Sequence, residues 1–179
     1  MILISETLLL QNIKFENHSE LVKLMERIYP PSYKHLWKNE DCSWYLDKSY
    51  GLTNFKQELN NTDAFYYFVI NNSEIVGILR LVINQPLKEF PNQLTTYLHR
   101  IYLSEESQGK GIAQQLFNWV EKTAKQNNNK HIWLEAMDTQ LQAIKFYNKQ
   151  GYKAINKMSL EFNRIHKHLR GMFLMSKTV

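Results

Sequence analysis

The sequence predicts one α/β domain over residues 1–179, a mixed central sheet of about seven strands with helices on both faces. Three observations carry this. Runs 64–70 and 74–83 are β-rich and joined by Asn71-Asn72-Ser73, and 94–103 returns as a third strand, giving an antiparallel meander. A strand ending in His99-Arg100-Ile101-Tyr102-Leu103, a turn holding Gly109 and Gly111, a helical pattern and a strand at 132–137 form a crossover between parallel neighbours. No internal repeat, low-complexity segment or composition break marks a linker.

Composition narrows the class. A chain of 179 residues, 44% hydrophobic and 13% aromatic, can fill one compact core. The single cysteine, Cys42, excludes an internal disulfide, fits a reducing compartment and reads as a small, partly buried residue. The N-terminus lacks a basic region, and its apolar runs are too short for a signal peptide or a membrane span. A cytoplasmic protein with no membrane partner is expected.

Residues 1–103 hold 10 Lys/Arg against 11 Asp/Glu and residues 104–179 hold 12 against 6, so charges of −1 and +6 make up the net +5. A basic second half suits a polyanionic nucleotide ligand. Nucleic acid is not the expected partner, because no basic run or aromatic platform with flanking Arg is present.

In chain order, residues 8–16 read as a first strand. Ser19 can cap a helix with Leu21, Val22, Leu24, Met25 and Ile28 on its apolar face, ended by Pro30-Pro31. Residues 33–50 carry Tyr33, His35, Trp37, Trp44, Tyr45 and Tyr50, which read either as a helix at the edge of the core or as the lining of an acceptor pocket. Residues 52–59 resemble a short helix with Thr53 as a cap, and 85–92, with Pro86 and Pro91, a loop.

Beyond the glycine turn, Ile112, Leu116, Phe117, Trp119 and Val120 give a helix its buried side, and Gln126 to Asn129 end it. A helix from about Thr139 or Gln140 to Gln150 stops at Gly151. Residues 152–162 and 172–177 supply two last strands around a basic loop. His166 and His168 in that loop have no ligand cluster beside them, so no metal is expected.

The chemistry-bearing stretch is Gln108-Gly109-Lys110-Gly111-Ile112-Ala113. Two glycines let the backbone turn tightly, and the first-turn amides of the following helix lack partners and carry partial positive charge. A phosphate or pyrophosphate suits that place, and Lys110 adds a formal charge.

Gln-x-x-Gly-x-Ala (Gln108, Gly111, Ala113) after Arg-Ile-Tyr-Leu resembles the pyrophosphate loop of the GCN5-related N-acetyltransferases. A second block, His131 to Met137 and then Ala143 to Tyr152, resembles the same family. The likeness spans about residues 13–177; it departs at Gln140, usually Asn, and at Ala113, often Gly.

The resemblance implies the GNAT fold and acetyl-CoA as cosubstrate, moved to an amine in a ternary complex without a covalent enzyme intermediate. It implies that the backbone of Ile101 and Leu103 pairs with the pantetheine arm between splayed strands, with Tyr102 also a cofactor contact. It also implies that the amides of Gln108, Gly109, Lys110, Gly111, Ile112 and Ala113 hold the pyrophosphate, that Gln140 binds the arm or the adenosine side, that Lys149 reaches a phosphate, and that Phe146 contacts the cofactor.

Acetyl transfer needs a base for the amine, stabilisation of the oxyanion and a proton for the leaving thiolate. Tyr147, in Phe146-Tyr147-Asn148-Lys149-Gln150-Gly151-Tyr152, matches the family's acid; a phenol is protonated at neutral pH. For the base, Glu135 matches a carboxylate of ribosomal-protein acetyltransferases and His99 a glutamate position of polyamine acetyltransferases, and a water chain could replace both. By alternation His99 shares a face with Ile101 and Leu103, and Arg100 and Tyr102 take the other.

The general look is similar to bacterial polyamine or diamine acetyltransferases. A small amine such as spermidine is the expected acceptor, drawn by Glu16, Glu20, Glu26, Glu40, Asp41 and Asp47, and a homodimer is the assembly allowed for. A protein N-terminal acetyltransferase and a non-catalytic coenzyme A-binding regulatory module are the alternatives.

Overall fold

The computed structural model describes residues 1–179. Eight strands form one sheet: β1 (Ile2–Leu3), β2 (Leu8–Asn12), β3 (Ala64–Asn71), β4 (Glu74–Val82), β5 (Thr95–Leu103), β6 (His131–Met137), β7 (Lys153–Ser159) and β8 (Gly171–Thr178). Their order is β1-β2-β3-β4-β5-β6-β8-β7. Only β5 and β6 pair in parallel, as a crossover through a helix demands. The strand beyond the expected number is the two-residue β1, which lengthens the edge beside β2.

The β3–β4 turn follows from its residues. Asn72 and Ser73 take φ of 50° and 68°, the positive-φ pair that a two-residue hairpin requires.

Five helices cover the two faces: α1 (His18–Tyr33), α2 (Ser43–Tyr50), α3 (Leu52–Leu59), α4 (Ile112–Gln126) and α5 (Leu141–Lys149). Leu79, Leu81, Leu98, Ile132 and Leu134 meet Leu116, Phe117 and Val120 of α4 in one buried cluster. On the other face Phe68 and Ile78 meet Leu21, Met25 and Ile28 of α1 and Phe55 of α3. Both faces of the central strands are buried, so β3 and β4 read as apolar runs rather than alternating ones.

Four local expectations are corrected. Pro30 and Pro31 lie inside α1, which continues to Tyr33. Proline φ is already helical, and the missing N–H groups fall in the last turn; the stack of Tyr29 on Tyr33 at 4.7 Å ties that turn to the core. The helix N-caps are Asn17 and Gly51, so Ser19 and Thr53 lie within the first turns. Residues 34–40 form two short 3₁₀ turns, and β2 ends at Asn12. No helix is long and apolar enough to cross a membrane.

Candidate active site

The site begins where the sheet comes apart. β5 and β6 pair only at Thr95↔His131, Thr96↔Ile132 and Tyr97↔Trp133. Beyond Tyr97, β5 stays with β4 while β6 stays with β8. A bulge drives the departure: Arg80 faces Arg100 but Leu81 faces Leu98, so His99 has no residue opposite it. An extra residue bends a strand and raises its twist.

The bulge also resets the alternation. Leu98, Ile101 and Leu103 pack towards α4. His99 instead joins Arg80, Tyr97 and Tyr102 on the face towards α1 and α2. The period-2 expectation that His99 shares a face with Ile101 and Leu103 is thereby overturned.

A groove of about 470 Å³ occupies the opening between β5, α4 and α5. Ile101, Tyr102, Leu103, Gln108, Gly109, Gly111, Ile112, Ala113, Gln140 and Phe146 line it. Gly109 and Gly111 take φ of 73° and 72°, and a Cβ on either would meet nothing within 4 Å. Backbone conformation rather than crowding therefore demands glycine, and the turn faces open space.

None of the amides of Gly109, Lys110, Gly111, Ile112, Ala113 and Gln114 donates to the backbone. A row of free N–H groups at the start of a 15-residue helix is built for anionic oxygens, and it fits a pyrophosphate. Lys110 and Lys149 stand outside the groove lining. Lys110 borders a separate depression with Arg27 and Glu106, and Lys149 is exposed at the end of α5. Ser32, Ser107 and Gln142 line the groove without having been singled out by any motif.

A second cavity of about 300 Å³ opens on the other face and meets the groove at Tyr33, Tyr102, Gln140, Ala143 and Tyr147. Of the aromatic stretch, Tyr33, Trp37 and Tyr45 line it, joined by Tyr29 and Tyr97. Trp44 packs on Phe162 at 5.3 Å, Tyr50 lies buried under Arg100, and His35 is exposed. Glu135 is the one carboxylate in the lining. Glu16, Glu20, Glu26, Glu40, Asp41 and Asp47 are absent from it, which removes them as the cavity's own attractors.

Residues 160–170 close one side. Lys38 N–H donates to the Arg164 carbonyl at 2.9 Å, His166 N–H donates to the Leu36 carbonyl at 3.0 Å, and Trp37 and Ile165 form a β-bridge. Leu160, Phe162 and Ile165 thereby become cavity wall. Sequence patterning had no signal for this contact, since it joins two irregular segments.

The titratable groups differ sharply. Arg80 donates to Nδ1 of His99. Guanidinium has no acceptor, so the ring must present a lone pair there and carry its proton on Nε2. Burial, then Arg100 and Arg80, push the His99 pKa down to about 2. Arg100 is itself paired with Glu58 at 2.6 Å, and Arg80 Nε lies 3.6 Å from the same oxygen.

Glu135 faces the cavity and accepts from the Tyr97 hydroxyl at 2.8 Å. Tyr147 is half-buried at the junction of groove and cavity, its ring 5.7 Å from that of Phe117. Burial, then Tyr33, raises its pKa, so the phenol keeps its proton throughout the neutral range.

The acetyltransferase (GNAT) family profile matches residues 19–152. An uncharacterised N-acetyltransferase from the pepI 3′ region of Lactobacillus delbrueckii subsp. lactis is 26% identical over 112 residues, 63% of this chain and 65% of the relative. The chain thus spans slightly under two thirds of that relative's length.

Among solved structures, the PaiA N-acetyltransferase of Thermoplasma acidophilum in complex with coenzyme A aligns with TM-score 0.72 and 18% identity, covering 97% of this chain and 99% of that one. RimL, a ribosomal alpha-N-protein acetyltransferase in complex with coenzyme A, aligns with TM-score 0.74 and 14% identity over 99% and 97%. A mutant of the spermidine N-acetyltransferase SpeG of Vibrio cholerae gives 0.66 and 15% over 97% and 95%. At such identities the likeness is one of fold.

Proposed function

Because the chain belongs to the acetyltransferase (GNAT) family, we propose that it transfers the acetyl group of acetyl-CoA to a primary amine of a small molecule, a polyamine such as spermidine. The observation that supports this is the meeting of two spaces at Tyr147: a groove edged by six free amides and a cavity walled by aromatic rings. The splayed strands give the groove the shape a pantetheine arm needs, and the thioester supplies an activated acyl group.

In this reading Glu135 takes the ammonium proton, so that the amine nitrogen attacks the acyl carbon directly. Tyr147 donates its proton to the departing sulfur. Tyr33, Tyr45 and Tyr102 supply ring faces for an alkylammonium chain. His99 is a poor base here, because Arg80 occupies one ring nitrogen and the other bears the proton.

The closure of residues 160–170 onto residues 36–38 favours a small acceptor over a protein N-terminus. A regulatory module without turnover would have no use for Tyr147 at the junction. The test is coenzyme A release with spermidine, spermine, diamines, aminoglycosides and N-terminal peptides. Turnover led by the small amines is expected. Acetyl-CoA binding without turnover on every amine would favour the regulatory module.

A further inference from the structure

Tyr97 stands on β5, on the last pair before the strands part, and belongs to no motif. Its ring lies flat on Trp133 of β6, centroids 3.8 Å apart and planes 8° apart. The His99 ring, tilted, approaches it to 5.1 Å. Rings stacked this way have little freedom to turn, so the hydroxyl is delivered to one place. That place is Oε2 of Glu135, two residues past Trp133 on the same face of β6.

Glu135 itself is otherwise free. It is exposed, its carboxylate has no Lys or Arg within 4 Å, and Tyr97 is its one hydrogen-bond donor. A glutamate side chain on an open strand samples several rotamers. A base must be held within hydrogen-bond reach of the proton it takes. The phenol takes one lone pair of Oε2, which leaves Oε1 with both of its own as the freer oxygen to receive that proton.

We infer that Tyr97 is a positioning residue for acetyl transfer: braced by Trp133, it orients the Glu135 carboxylate so that Oε1 faces the acceptor ammonium. This rests on the reading of Glu135 as base. The phenol suits the task because burial first, and then the Glu135 charge, hold its pKa up, so it remains a donor.

The test is a double-mutant cycle with acetyl-CoA and spermidine on Tyr97→Phe, Glu135→Gln and the double variant. Phenylalanine keeps the ring stack, and thermal unfolding of each protein checks the fold. Tyr97→Phe should lower kcat about tenfold, the scale of one hydrogen bond to a charged group, with KM for acetyl-CoA unchanged. In the Glu135→Gln background the same change should have almost no effect. An equal factor in both backgrounds, or none in either, overturns the positioning role while leaving the base reading intact. Glu135→Gln at the wild-type rate overturns the base reading instead. A crystal structure of Tyr97→Phe is the acceptor-free check: Glu135 should leave its position, and an unmoved carboxylate would also overturn the inference.

Discussion

Arg80 reaches across from β4 and donates to Nδ1 of His99, the residue that the β5 bulge leaves without a partner. One contact thus binds the distortion that opens the sheet to the group that sequence patterning offered as a base. Because the ring accepts at Nδ1, it can only donate at Nε2, which argues against a role as base.

His99→Asn should therefore keep kcat within about threefold, since an amide oxygen can still accept from Arg80, whereas loss of a true base lowers rates by roughly 10²-fold or more. Stability carries the sharper signature. The folded pKa, about 2, lies below the ordinary 6.5, so the unfolded chain binds the proton first. This contribution is complete above pH 6.5 and is lost as pH falls towards 2. Between pH 6.5 and 5 it should remove about 1–2 kcal/mol from the wild type and nothing from His99→Asn. Urea unfolding at both pH values measures this; parallel losses would show that the imidazole does not titrate as argued.

Gly111→Asp should weaken acetyl-CoA binding by roughly 10- to 100-fold, about 1.4–2.8 kcal/mol, by placing a carboxylate among six free amides. Gly111→Ala separates charge from strain: both variants strain a φ of 72°, but only aspartate repels phosphate. Alanine should bind several-fold more tightly than aspartate in calorimetry. Equal affinities in the two would move the pyrophosphate elsewhere.

Tyr147→Phe should lower kcat on the order of 10²-fold with little change in acetyl-CoA affinity, because the ring still packs on Phe117 while the proton is gone. Its raised pKa adds that the wild-type rate should not fall through ionisation of this phenol below pH 10. Unchanged kcat in a preparation whose chemistry limits turnover would reduce Tyr147 to a packing residue.

The legible parts of the chain were those where a local pattern has one physical solution. The Asn72-Ser73 hairpin, the glycine turn into α4 and the α5 helix ending at Gly151 each follow from residues close in sequence. His99 went to the wrong face because alternation fails at a bulge, and nothing local in Leu98-His99-Arg100 announces an unpaired residue. The carboxylates of residues 16–47 looked like an acceptor attractor only as composition; the fold keeps them off the cavity. Tyr97 and the clasp of Ile165 on Trp37 rest on contacts across 36 or more residues, which no motif reports.

That clasp governs the last prediction, the acceptor itself. Glu135 is the one carboxylate of the cavity, and the one guanidinium in its lining, Arg100, is tied to Glu58. Attraction for a polyamine should then come mainly from ring faces and a single charge, and exposed single charges are screened within about 10 Å at 0.1 M salt. The kcat/KM for spermidine should exceed that for a ribosomal-type peptide, and should fall by no more than about threefold between 50 and 500 mM salt. Ile165→Gly withdraws a fully buried side chain from the clasp and should free residues 160–170 from Trp37. Spermidine turnover should then drop while the peptide gains, because the same wall that confines a small amine keeps a longer chain out. A wild-type protein that prefers the peptide, with no change in preference on opening the clasp, would replace the polyamine by a protein terminus and leave the acetyl-transfer chemistry as it stands.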